Sequence, residues 1–176
     1  MSAKYEFVPG DTITIAPGRT LKRIRALATI AVAGVAPGNL GGYVESETNL
    51  AQVSGDAWVS GDARVSGNAR VSGDARVYGD AWVSGDARVY GDALVCGDGL
   101  IFWASKVGSE NGTLTVYNTK DNTLQVTRGC FVGSVDEFLE ASERNHDDDT
   151  HLEYRLLIEI ANSRITRARA KLEADQ

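Results

Sequence analysis

From Val53 to Leu100 the pattern of apolar and polar positions repeats every six residues. The units read VSGDAW, VSGDAR, VSGNAR, VSGDAR, VYGDAW, VSGDAR, VYGDAL and VCGDGL. Within each, A-x-V-x alternates small apolar, variable, large apolar, variable. That is a period of two, which places alanine and valine on one face of a short strand. Gly-Asp or Gly-Asn then interrupts the strand with residues suited to a corner. A helix is excluded, because a glycine in every second turn costs about 1 kcal/mol each time. A short fixed period predicts coils stacked on one another.

The motif resembles the hexapeptide repeat of left-handed parallel β-helices, in which three hexads make one coil. The handedness rests on that resemblance, since right-handed crossovers are the general rule. With eighteen residues per coil, Val53 stacks under Val71 and Val89, Val59 under Val77 and Val95, and Val65 under Val83 and Ile101. The interior is then a dry column of valine and alanine. The last positions of the hexads (Trp58, Arg64, Arg70, Arg76, Trp82, Arg88, Leu94, Leu100) point outward, so Arg76 lies between Trp58 and Leu94, and Arg64 under Trp82. A guanidinium one strand from an indole is placed for stacking. Aspartates form corner ladders, Asp56–Asp74–Asp92 and Asp62–Asp80–Asp98, whose repulsion neighbouring arginines and amides can absorb; no metal is expected there.

The flanks read differently. Thr12 to Ile15 alternates as a strand between Pro9-Gly10 and Pro17-Gly18, and Leu21 to Val35 reads as one or two more strands. Residues 1–44 are expected to cap the open end of the helix, 45–103 to form the β-helix and 104–176 a C-terminal domain. Leu50 and Ala51 are the expected buried residues of the lead-in. In the C-terminal domain, Thr113 to Tyr117 and Thr123 to Thr127 alternate as strands joined by a turn. Ser134-Val-Asp-Glu137 is a capping box opening a short helix to about residue 143. Thr150-His-Leu-Glu153 is a second, opening a helix to about 172 with Tyr154, Leu157, Ile158, Ala161 and Ile165 on its buried stripe. The fold class is mainly β: a left-handed parallel β-helix, then a small α+β domain ending in a long helix.

Composition narrows the function. The 176 residues carry a formal net charge of −6, which disfavours a general nucleic-acid-binding role. Two cysteines, Cys96 and Cys130, make no disulfide framework, and a reduced, cytoplasmic setting is expected. The apolar run 24–36 is too short to span a bilayer, so no membrane association is expected.

The segments Trp103-Ala-Ser-Lys-Val-Gly-Ser109, Thr127-Arg-Gly-Cys-Phe-Val-Gly133, Asp136-Glu-Phe138, His146 and Glu153-Tyr154 resemble a small domain of bacteriophage and prophage proteins. Leu40-Gly-Gly-Tyr-Val-Glu-Ser-Glu47 with Asn49-Leu50 is similar to the lead-in of phage hexapeptide-repeat proteins. The resemblance implies the cytoplasm of a host bacterium, and antagonism of host anti-phage defence as a role. The apolar outward residues at the end of the repeat and the wide apolar stripe of the last helix predict a homo-oligomer. The resemblance implies a trimer, with a dimer through the last helix as the second reading.

Many hexapeptide-repeat proteins are acyltransferases, so an acyl-CoA-dependent enzyme is the alternative function. That chemistry needs a general base. The hexads hold no histidine, and His146 and His151 both flank an acidic loop elsewhere. Cys96 has no base beside it in the repeat. The preferred reading is a non-enzymatic binding module with no catalytic residue, no metal and no cofactor. Ser105, Lys106, Ser109, Asn111, Thr127 and Arg128 supply hydroxyls, an amide and two cations near strand ends. This set suits a small anionic ligand, or an acidic surface on a host protein, with arginine offering a bidentate fork.

Overall fold

The computed structural model describes residues 3–97 and 99–174. The chain divides into two units, Met1–Asp98 and Gly99–Gln176.

In the first unit, β1 (Tyr5–Ala16) and β2 (Arg19–Ala26) form an antiparallel hairpin closed at Pro17-Gly18, and β3 (Leu40–Val44) adds antiparallel to β2. Only one strand forms between Leu21 and Val35. The chain beyond β2 turns through a 3-10 segment at Ala31–Ala33 and buries Ile30. Seven short strands follow in the hexads: β4 (Trp58–Val59), β5 (Arg64–Val65), β6 (Arg70–Val71), β7 (Arg76–Tyr78), β8 (Trp82–Val83), β9 (Arg88–Val89) and β10 (Leu94–Cys96). They stack as three parallel ladders, β4–β7–β10, β3–β5–β8 and β6–β9. Within the hexads every rung advances eighteen residues, as in Val59, Val77 and Val95. Three hexads therefore make one coil. The alanines from Ala57 to Ala93 and the valines from Val59 to Val95 are all buried, as the period of two requires.

The first coil departs from that register. Twenty-one residues, not eighteen, separate Val44 from Val65, and Leu50 bridges to Val71. Leu50, not Val53, fills the core position, and Val53 is 62% exposed. Three extra residues are thus accommodated between Leu50 and Trp58, and they are put to use. The Gln52 side-chain amide accepts from the backbone N–H groups of Lys4 (3.0 Å) and Tyr5 (3.2 Å) and donates to the Tyr5 carbonyl (3.1 Å). The Tyr5 hydroxyl donates to the Leu50 carbonyl (3.1 Å). Asn49, fully buried, donates to the carbonyls of Gly67 and Ala69 in the next coil. Side chains replace the strand that the first coil lacks on this face.

Two positions expected to point outward, Trp58 and Leu100, are buried instead. Trp58 is buried: a Cβ at Gly41 would meet its ring and Ile24, so β2 and β3 cover this indole. Trp82 remains partly exposed, and its indole N–H donates to Ser66 (3.2 Å). Trp58 and Trp82 do occupy rungs beside Arg76 and Arg64. Cation–ring contacts are seen elsewhere in this unit, Lys22 over Phe7 and Arg23 over Tyr43. At the corners glycine is required twice over. Gly73 has φ 70°, and a Cβ there would press on Gly91 backbone of the next coil. Along the edges Asp74 accepts from the Asp56 N–H, and Asn68 donates to Asp86. Asp98 lies outside the described residues.

The second unit is an antiparallel meander, β11 (Ile101–Val107), β12 (Gly112–Asn118), β13 (Leu124–Arg128) and β14 (Phe131–Ser134), followed by α1 (Val135–Asn145) and α2 (Asp148–Ala174). Ile101, expected as the rung after Val83, opens β11 and pairs with Tyr117. Two strands of this sheet, β11 and β14, carry no clear alternation in the sequence. The box at Ser134 forms as expected, with its hydroxyl accepting from Glu137 N–H and the Glu137 carboxylate accepting from Ser134 N–H. The expected box at Thr150 does not. The helix starts three residues earlier, at Asp148, and the Asp147 carboxylate accepts from the Thr150 N–H (2.8 Å). Tyr154, Ile158, Ala161 and Ile165 form the buried stripe of α2, which lies across β11 and β12. Phe138 of α1 packs edge-on between Phe131 and Tyr154.

Candidate functional site

The β11–β12 hairpin is irregular, and its irregularity gathers polar groups. The strand register slips between Ser105 and Val107. Lys106 (φ 60°) and Asn111 (φ 50°) take the left-handed conformation that L-residues rarely adopt. The turn is tied to α2 at Gly108, whose N–H donates to the Glu153 carboxylate (2.7 Å). Gly108 is also a contact that tolerates no side chain, because a Cβ would collide with the Tyr154 hydroxyl.

Arg128 reaches over this turn from β13. Its Nε donates to the Tyr154 hydroxyl (3.0 Å) and Nη2 to the Val107 carbonyl (3.3 Å), while Nη1 lies against the Gly112 backbone. The guanidinium also sits 5.9 Å from the Tyr154 ring centroid. All these partners are neutral. Among the described residues no carboxylate lies within ion-pair distance of Arg128, although the side chain is half-buried. His146, at the end of α1, packs edge-on against Tyr154, with Nδ1 3.5 Å from the Ser109 hydroxyl.

The six residues expected to bind an anion do not form a single cluster. Lys106, Ser109 and Asn111 are exposed around the turn, and Arg128 borders it. Ser105 and Thr127 belong to the opposite face of the sheet, since strand neighbours alternate. Ser105 shares a hydrogen bond with Thr113 (3.0 Å), and Thr127, paired with Thr115, is buried. Three further residues complete the turn, His146, Glu153 and Tyr154. Each stands among the positions that carry the phage-protein resemblance, which was the signal available for them. Glu153, expected as a capping residue, is instead the acceptor for Gly108.

The first unit offers less chemistry. An open groove of about 460 Å³ beside β6 is lined by Glu47, Leu50, Gln52, Arg70, Ser72 and Tyr90. Cys96 is half-buried and pairs across the ladder with Tyr78. Burial, and then the Cys96 thiol, push the Tyr78 phenol above its ordinary range. A phenol held protonated cannot act as the base a thiol nucleophile needs.

Residues 51–99 match the YdcK beta solenoid repeat, in five overlapping windows (51–67, 57–71, 63–79, 69–85 and 81–99). The hexads are thus β-solenoid repeats, in agreement with the eighteen-residue ladders. No curated protein matches the chain.

Proposed function

We propose that this chain is a non-enzymatic binding protein of the phage type. A left-handed β-helix of three hexads per coil serves as scaffold, and the C-terminal unit binds an anionic group at the β11–β12 turn. The group belongs to a small ligand or to an acidic host protein, and antagonism of host defence is the role this fits. The observation that carries the reading is Arg128. A half-buried cation satisfied only by neutral acceptors has spare donors and an uncompensated charge. An incoming oxyanion would supply both the counter-charge and the missing acceptors. Exposed Lys106 on the adjacent bulge adds a second cation, while the Ser109 hydroxyl and Asn111 amide border the same turn.

The test is calorimetric titration with inorganic phosphate, pyrophosphate, coenzyme A and acetyl-CoA. Binding of a phosphate-bearing probe to the wild type, lost in Arg128→Lys and weakened in Lys106→Ala, is the expected result. Lysine keeps the charge but not the planar fork, so loss in Arg128→Lys separates geometry from charge. Wild-type binding that both variants retain would place the site elsewhere. Saturable acetyl-CoA binding accompanied by release of free thiol would establish the acyltransferase alternative.

A further inference from the structure

The long helix α2 has two apolar faces. Tyr154, Ile158, Ala161 and Ile165 are buried against its own sheet. Leu152, Leu156 and Ile160 are 41%, 49% and 49% exposed. At roughly 100° per residue, this second stripe lies diametrically opposite the first. Single exposed apolar residues are ordinary, but three on successive turns of one face form a patch.

The residues at either end of that stripe indicate its occupant. Asp149 lies seven residues before Leu156, and Arg167 seven residues after Ile160, so both fall in line with the exposed apolar stripe. Both side chains are exposed, and neither has an ion pair among the described residues. The spacing is symmetric about position 158. Charge is polarised along the same helix, with Asp148, Asp149 and Glu153 near its start and Arg164, Arg167 and Lys171 near its end.

We propose that α2 pairs antiparallel with α2 of a second copy of this chain about a two-fold axis near position 158. Leu156 then packs on the partner's Ile160, and Asp149 faces the partner's Arg167. The relation is isologous, so each contact occurs twice and the assembly closes at two. Opposed helix dipoles favour the same orientation. A parallel arrangement, including a three-fold bundle, would stack Asp149 on Asp149 and Arg167 on Arg167. The helix is 27 residues long, about 40 Å, enough for a continuous seam. This dimer departs from the trimer that the family resemblance implies, and it does not depend on the anion site.

Sedimentation velocity on the full chain at tens of micromolar tests it. The wild type should sediment as a dimer and Leu156→Glu as a monomer with an unchanged far-UV spectrum. Asp149→Arg and Arg167→Asp should each weaken association by roughly tenfold or more, because each sets like charges face to face. The double variant D149R/R167D restores opposite signs and should dimerise like the wild type. A monomeric or trimeric wild type, or a dimer that Leu156→Glu leaves intact, overturns the proposal. So does a double variant that stays as weak as the single ones.

Discussion

Glu45 shows how much one side chain does where the solenoid begins. Its carboxylate accepts from Arg19 (2.7 Å) and from the Gly67 N–H of the following coil (2.6 Å). The Arg19 hydrogen bond and then the Gly67 amide hold its acid below the ordinary carboxylate range. A folded-state value depressed below the unfolded one gives stability that is present above the unfolded value. That stability is lost as pH falls through the folded value. Glu45→Gln should therefore be less stable than the wild type at neutral pH, with the gap narrowing below about pH 4.5 as the wild-type acid protonates. Urea denaturation across pH 3 to 7 reads this directly, and a gap independent of pH would show the carboxylate charge to be irrelevant. At this scale the sequence is least informative. Arg128 reads as a surface cation, yet it is fastened to Tyr154 and Val107. Replacing it by alanine removes packing and two hydrogen bonds as well as charge. Trp58 likewise reads as outward, because the cover over it comes from Gly41 and Ile24, distant in sequence.

Individual elements were legible where a period or a cap stood alone, and obscure where two signals competed. The Ala–Val alternation names every core position from Ala57 to Val95, since a two-residue period admits one assignment of faces. Val53 misleads because Val-Ser-Gly-Asp fits the repeat consensus by itself. The contrary signal is the six-residue step from Val44 to Leu50, which is out of phase with Val53 by three. The start of α2 poses the same problem, since Asp147 and Thr150 both precede helix formers. Asp147 caps, and its carboxyl is held below the ordinary range chiefly by the Thr150 N–H. Glu153, the other half of the rival box, is drawn away to Gly108. Asp147→Ala should accordingly lower the melting temperature, while Thr150→Ala stays within about 0.5 kcal/mol of the wild type. Equal effects in thermal melts would mean that the helix frays to Thr150 in solution.

Over the whole molecule the chain holds two cores made by different rules. One is a column of valine and alanine in parallel ladders, the other a sheet covered by α1 and α2 with an aromatic row, Phe131, Phe138, Tyr154 and His146. Val77 sits on the middle rung between Val59 and Val95, fully buried. An aspartate there would be unpaired. Even protonated, its carboxyl costs about 2–7 kcal/mol to bury without a partner. The lost valine adds about 1.5–3 kcal/mol. Together these approach the 5–15 kcal/mol that stabilises a typical domain, so Val77→Asp should unfold the solenoid. The helices, residues 135–145 and 148–174, draw their buried contacts from the second unit. The full-length variant should therefore lose strand signal in its circular dichroism spectrum while keeping most of the helical band at 222 nm. Limited proteolysis should cleave it within residues 1–98 and spare the fragment that follows. Loss of helix and strand together would show that the second unit needs a folded solenoid, and the two cores would then be one cooperative system.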